Sequence, residues 1–532
     1  MSRENISATV ALVAGASLLV DYTLTVAVSI SSGVLAISSA VPALRPEGYR
    51  ILLCLGFLIL LTLGNLRGVK ESGRLFAVPT YAYVVLLFSM LIYGLVRVFG
   101  FHLGPIPGGA EAAQEFAHGK QLTNSIALFA LLKAFSSGAV VLSGVEAISN
   151  GVPAFKGPES KHAARTLGLM AFILGAGFMG ISVLAHHLLP VVQEDGETVL
   201  SQMAKAVFGP DNPLYYALQI ATFAILVLAA NTAYADFPRL SSIIARDRYL
   251  PRQLANRGDR LVFSNGILLL AGFAAVLIIA FRAEVTLLIP LYAVGVFTGF
   301  TLSQFGMCRH HLTLREPNWQ RGLVINVIGC IATGIVLIVV VVSKFTAGAW
   351  IPVVVIPLIV LVFRSIHKHY DRVDKVLQAP DAYKVRRRTH TVVVLVGRVH
   401  KGVLEAIGYA RSLRPDRLLA VSVVSNAEEQ EQIVDEWERR DLPVELRTVY
   451  SPYRELIRSV LRFVDELDEE HPDDFLTIVL PEFVLDHWWE KALHNQSALI
   501  LRARLRARPN TIVTSLPFHI AENDMVVLGS AD

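Results

Sequence analysis

The chain has 532 residues, of which 53% are hydrophobic and 17% charged, well short of the roughly 25% charged that soluble domains carry. That balance excludes a wholly soluble protein and indicates an integral membrane protein. A net charge of +4 is too small to argue for nucleic acid, and the spacing of Cys54, Cys308 and Cys330 argues against a disulfide framework or a thiolate metal centre.

The opening MSRENISATV lacks the basic segment and cleavage site of a secretory leader. Up to about Ile366, ten apolar runs of spanning length are predicted. They lie near residues 7–39, 50–66, 75–99, 125–154, 165–190, 214–235, 262–281, 285–307, 323–345 and 348–365. With the N-terminus inside, the inward joints are RGVKESGR, KGPESKHAAR, DFPRLSSIIARDRYLPRQLANRGDR and CRHHLTLREPNWQR. These are rich in Lys and Arg, whereas the long outward joints are poor in them. The charge asymmetry therefore predicts an even span count with both termini cytoplasmic.

The first run contains SLLVDYTLTVAVSISSG, which sets Asp21, Thr25 and Ser29 at i, i+4 and i+8. On a helix this aligns a carboxylate and two hydroxyls along one face. A cation stripped of water needs such replacement oxygens. Serine and threonine alone would be weak evidence, because they often bond to their own helix. The fourth run carries SSGAVVLSGVEAISNGVPAF, residues 136–155. A carboxylate at membrane depth, here Glu146, must face a bundle interior or a wet cavity. Gly138, Gly144, Gly151 and Pro153 weaken the helix around it. A break there frees backbone groups to coordinate an ion near the midplane; the plainer alternative is a kinked helix with a bonded glutamate. Lys133 in the same run either balances Glu146 or snorkels outward. His186 and His187 fall near an outer helix end. Asp236 reads as a helix cap or an ion pair with Arg239. Tyr292 in IPLYAVGVFTGFTLSQ either offers its hydroxyl to a cavity or packs within the bundle.

Beyond Ile366 the chain turns charged, in HKHYDRVDKVLQAPDAYKVRRR, whose Arg386, Arg387 and Arg388 would suit either anionic lipid or solvent. Short β-branched runs then alternate with amphipathic helical stretches, which predicts a soluble α/β domain with a parallel sheet. The expected organisation is a transmembrane domain over 1–366, a linker over 367–389 and a cytoplasmic α/β domain over 390–532. No nucleophile–base pair, metal spacing or phosphate loop stands out, so an enzyme is not expected.

Several long motifs carry a resemblance: VDYTLTVAVSISSGV, NLRGVKESG, SGVEAISNGVPAFKGPESKHAARTL, ETVLSQMAKAVFG and NTAYADFPRLSSIIARDRYLPRQL, with WWEKALHNQSALILRARL in the tail. Together they resemble the amino acid–polyamine–cation superfamily, and within it the potassium-importing KimA-like branch related to the KUP transporters. The resemblance spans nearly the whole chain. It implies an all-α, polytopic LeuT-like inverted repeat, a universal-stress-like parallel sheet in the tail, and proton-coupled potassium uptake at the plasma membrane. It further implies a homodimer joined through the tails and inhibition by cyclic di-AMP. The implied cation ligands are Asp21, Thr25, Ser29, Ser143, Glu146 and Tyr292, with Glu146 also the proton-coupling candidate. Ser143 replaces the family's usual threonine and keeps the hydroxyl. By the same resemblance the chain starts just before the family's third span and lacks the first two helices, through a misplaced start or a genuine shortening. An amino-acid permease and a non-transporting, membrane-tethered nucleotide sensor are the alternative expectations.

Overall fold

The structure, a computed structural model, describes residues 5–68, 73–111, 114, 124–142, 148, 152, 155–191, 197–256, 258, 262–315, 317–380, 384, 388–452, 455–484 and 496–519. The chain divides into two units, Met1–Gln378 and Ala379–Asp532.

Helix α1 (Ala8–Ala40) starts at Ser7, whose hydroxyl accepts the Val10 N–H at 3.3 Å and so satisfies one of the open donors of the first turn. Its 33 residues rise about 50 Å, more than the ~30 Å hydrocarbon layer needs. Helices α2 (Glu47–Leu66), α7 (Pro213–Arg246), α8 (Ser264–Ala280), α9 (Val285–Leu314) and α11 (Trp350–Leu377) pack against it. Small residues permit this crowding: Ala16, Ala27, Ala230, Ala233 and Ala274 are all buried in the shared core. Helices α3 (Gly73–Phe101), α5 (Glu159–Leu188) and α6 (Val199–Phe208) enclose a second cluster around Met90, Leu184 and Met203. Helix α4 (Asn124–Ala139) lies against α10 (Trp319–Ser343). Leu60, Phe172 and Ile328 point outward, as expected where the solvent is lipid rather than water.

Each of the ten predicted runs overlaps a helix among the described residues. Among the described residues, eight helical segments are long and apolar enough to cross a membrane. The seventh run forms the 17-residue α8. In the fourth, α4 stops at Ala139 and tightens into a turn over Val140–Leu142. Two helices run further than expected. Helix α7 continues to Arg246, because Ser241, Ile244 and Ala245 remain buried beyond Pro238. Asp236 therefore sits inside a helix and is not its cap. Helix α11 continues to Leu377, so residues 367–377, expected within the linker, are its last turns. Before α11 the chain bulges at Phe345–Ala349, where Gly348 has φ +101° and an added Cβ would stand 2.9 Å from Leu291 Cδ1. Glycine satisfies both the backbone and the packing there.

In the second unit, strands β1 (His390–Val396), β2 (Arg417–Val424), β3 (Glu445–Tyr450), β4 (Phe475–Val484) and β5 (Thr511–His519) form a parallel sheet of order β3-β2-β1-β4-β5. Helices α12 (Lys401–Ser412), α13 (Ala427–Arg439), α14 (Leu456–Glu470) and α15 (Gln496–Arg506) connect the strands. β1 is apolar on both faces because both are covered. Val392, Val394 and Val396 meet Val403, Ala406 and Trp437, while Val393 meets Val460, Val464 and Leu501.

His400 caps α12, its Nδ1 accepting the Val403 N–H at 3.4 Å, and its ring lies 4.9 Å from that of Phe483. Burial lowers its pKa from the ordinary histidine value. As pH falls through that ordinary value, the unfolded chain takes up a proton that folded His400 resists, so this contribution to stability is lost on acidification. We expect hydrogen-exchange protection of α12 to fall from neutral to mildly acidic pH. His400→Asn, a cap that does not titrate, should lose less; equal losses in both chains would remove His400 from the account.

Candidate functional site

Helical spacing makes a polar column on α1. Asp21 is 1% exposed, Ser17 0% and Ser29 8%, while Thr25 is half-buried. The Thr25 hydroxyl donates to the Asp21 carbonyl at 2.9 Å, which leaves its oxygen lone pairs for a cation. Thr23 points away from this face and donates to Leu19 O at 2.8 Å.

Helix α9 closes on the column at a residue without a side chain. A Cβ on Gly295 would lie 3.5 Å from Asp21 Cβ and 3.6 Å from the Ser17 carbonyl oxygen. Tyr292, three residues earlier and 8% exposed, belongs to the same packed core as α1. The i, i+3 relation puts it on the Gly295 side of α9. A neighbouring stripe of α9, formed by Ala293, Val294 and Phe297, packs against Ala139 at the end of α4 and against Ala349 beside the bulge. One helix thus braces both the Asp21 column and the point where α4 stops. Ser136 of α4 and Ser343 of α10 lie buried there, with hydroxyls 3.3 Å apart.

Asp21 is therefore brought to the α1–α9 contact; Thr25 and Ser29 continue its face of α1, and Tyr292 of α9 lies in the same core. Ser143 and Glu146 lie outside the described residues. Lys133 falls on α4. His187 lies edge-on to Phe99 of α3, 5.1 Å between centroids, and its Nδ1 is 2.9 Å from Val183 O, so it serves the contact between α5 and α3. Sequence reasoning passed over Ser17. Its hydroxyl is buried and has no hydrogen-bond partner among the described residues. Leaving such a group unmatched costs ~1–3 kcal/mol. Its signal was in the sequence, one helical turn before Asp21 on the same face. Two polar pairs fix the frame: the Thr62 and Tyr234 hydroxyls at 2.8 Å, and Asn65 Nδ2 donating to Asn231 Oδ1 at 2.8 Å.

Long buried helices around a polar column are what a solute pathway requires, and comparison with known proteins agrees. The family described as amino acid permease matches residues 1–363. The chain belongs to that family. The tail of this permease matches the KimA potassium transporter C-terminal domain over residues 387–518. The whole permease is similar to a protein named potassium transporter KimA from Bacillus subtilis (strain 168). The two are 41% identical over 521 residues, which make up 98% of this chain and 84% of that relative. The superfamily, the membrane-embedded helical bundle and the tail of parallel strands all follow from these matches and the fold.

Proposed function

We propose that this permease takes up potassium across the plasma membrane, driven by co-transported protons. The observation that carries the reading is the buried Asp21 carboxylate in its column of hydroxyls, in a chain whose relative is named a potassium transporter. A dehydrated cation is satisfied by oxygens alone, whereas an amino acid also needs amides or cations for its carboxylate. Asp21, Thr25, Ser29 and Tyr292, with Ser143 and Glu146, hold the ion, and Ser17 adds an oxygen at the N-terminal end of the column. Glu146 carries the coupled proton, since a carboxyl group in a low-dielectric cavity holds its proton more tightly than one in water.

Lys- and Arg-rich joints support cytoplasmic termini. The tail is proposed to join two chains and to receive cyclic di-AMP. The carboxyl ends of β1 and β4, where the strand order switches, form the kind of crevice in which open parallel sheets take nucleotides.

The test is rubidium uptake into proteoliposomes under an inward proton gradient, with potassium and a panel of amino acids as competitors. Block by potassium alone supports the proposal. Block by an amino acid replaces it with an amino-acid permease, and tight nucleotide binding without any flux replaces it with a tethered sensor. Glu146→Gln should abolish proton dependence in this assay; an unchanged pH profile removes Glu146 from coupling.

A further inference from the structure

A groove of about 480 Å³ runs along the outside of the bundle between α1, α8 and α11. Leu24, Leu291 and Phe363 form its buried floor, and Phe273, Leu358 and Val362 stand exposed at its rim. Its polar lining residues are Thr23 and Ser241. Both hydroxyls are turned back onto their own helices, Thr23 donating to Leu19 O and Ser241 to Pro238 O. The groove thus offers no polar partner for water or an ion, and a wet cavity needs such partners. Along α11 it extends from Ile351 to Phe363, which is about 18 Å of helix rise and comparable to one ~15 Å leaflet of hydrocarbon.

One end of this apolar groove is basic. Leu250 lies in the turn after α7, and Phe363 leads into the last turns of α11. There the His367 ring stacks on Tyr249 at 4.2 Å, and the exposed Arg252 holds its guanidinium 5.0 Å from the Tyr370 ring. The Arg252 N–H donates to the Tyr370 hydroxyl at 3.3 Å, and Arg248 pairs with Asp374. Residues 246–254 and 364–374 together carry six Lys and Arg against three Asp. A guanidinium lying on an aromatic face keeps its N–H edge for a phosphate.

We propose that this groove holds one anionic phospholipid, with an acyl chain along α1, α8 and α11 and its phosphate at Arg252; the neighbouring His367 is already engaged, its Nε2 3.5 Å from Asp371 Oδ2. The floor residues Leu19, Val20, Thr23 and Leu24 belong to the same turns of α1 as Asp21, and Leu291 precedes Tyr292. A seated chain therefore bears directly on the helices of the cation site. That functional consequence rests on the proposed function, but lipid binding itself does not.

The test measures lipid retention on the purified full chain by native mass spectrometry, offering phosphatidylglycerol or phosphatidylcholine with the same acyl chains. Phosphatidylglycerol should be retained at one molecule per chain in preference to phosphatidylcholine. Arg252→Gln should weaken its retention about fivefold, the effect of one basic residue at an anionic headgroup. Leu277→Trp, which fills the groove, should abolish it for both lipids. If that variant is not monodisperse, Val362→Trp at the rim replaces it. Equal retention of the two lipids, or undiminished retention in the filled variant, overturns the proposal. So does disulfide-linked dimerisation of Val276→Cys in membranes beyond that of the parent chain, which would place a second copy over the groove. Rubidium uptake, followed in parallel, tests the transport reading separately.

Discussion

Asp21→Asn should abolish rubidium uptake while leaving a folded, monodisperse protein. The carboxylate is buried on α1, and Gly295 of α9 is packed against its Cβ. Asparagine has nearly the same volume, so the packing of α1 on α9 survives, but the formal charge that offsets a dehydrated cation is gone. Removing one partner of a buried charge pair costs ~3–5 kcal/mol, about a hundredfold or more in affinity. Asp21→Glu should retain part of the activity with weakened affinity, because the charge remains and its position shifts by one methylene. The measurement is uptake against rubidium concentration for the three chains. Wild-type affinity in Asp21→Asn would remove Asp21 from the site.

Gly295→Leu should also eliminate uptake, for a steric reason. The first added carbon meets Asp21 Cβ at 3.5 Å and the Ser17 carbonyl oxygen at 3.6 Å, which is ordinary contact. Gly295→Ala is therefore expected to fold and transport. The branched end of leucine has no such room, and α9 must move off α1. Overpacking a tight contact costs ~1–3 kcal/mol, and here the displacement also carries Tyr292 away from the column. The alanine and leucine chains should thus differ far more in uptake than in melting temperature. Equal uptake in both would mean that the α1–α9 contact does not shape the site.

Much of this was legible in the sequence, for identifiable reasons. The spacing of Asp21, Thr25 and Ser29 fixes their common face wherever the helix lies, because that geometry is local. The apolar runs became helices because an unpaired backbone is costly in hydrocarbon. The alternation of β-branched and amphipathic segments sufficed for the parallel sheet. Helix ends were read less well. The sixth run was expected to end at residue 235 and the charged HKHYDRVDKVL to be linker, yet α7 runs to Arg246 and α11 to Leu377. Packing of Phe237, Ile244 and Ala245 outweighs the local signal in the first case, and the Tyr249, His367, Arg252 and Tyr370 contacts accompany the second.

The sequence by itself therefore determined the membrane class, the division into a helical bundle and an α/β tail, and the polar face of α1. Only the tertiary structure decided what that face meets. Gly295 lies 274 positions from Asp21 in the chain, and nothing in its own surroundings marks it as the contact. The buried hydroxyl of Ser17 and the apolar groove with a basic mouth are likewise products of which helix lies beside which. Those choices depend on close packing summed over many distant side chains, a quantity no local pattern contains.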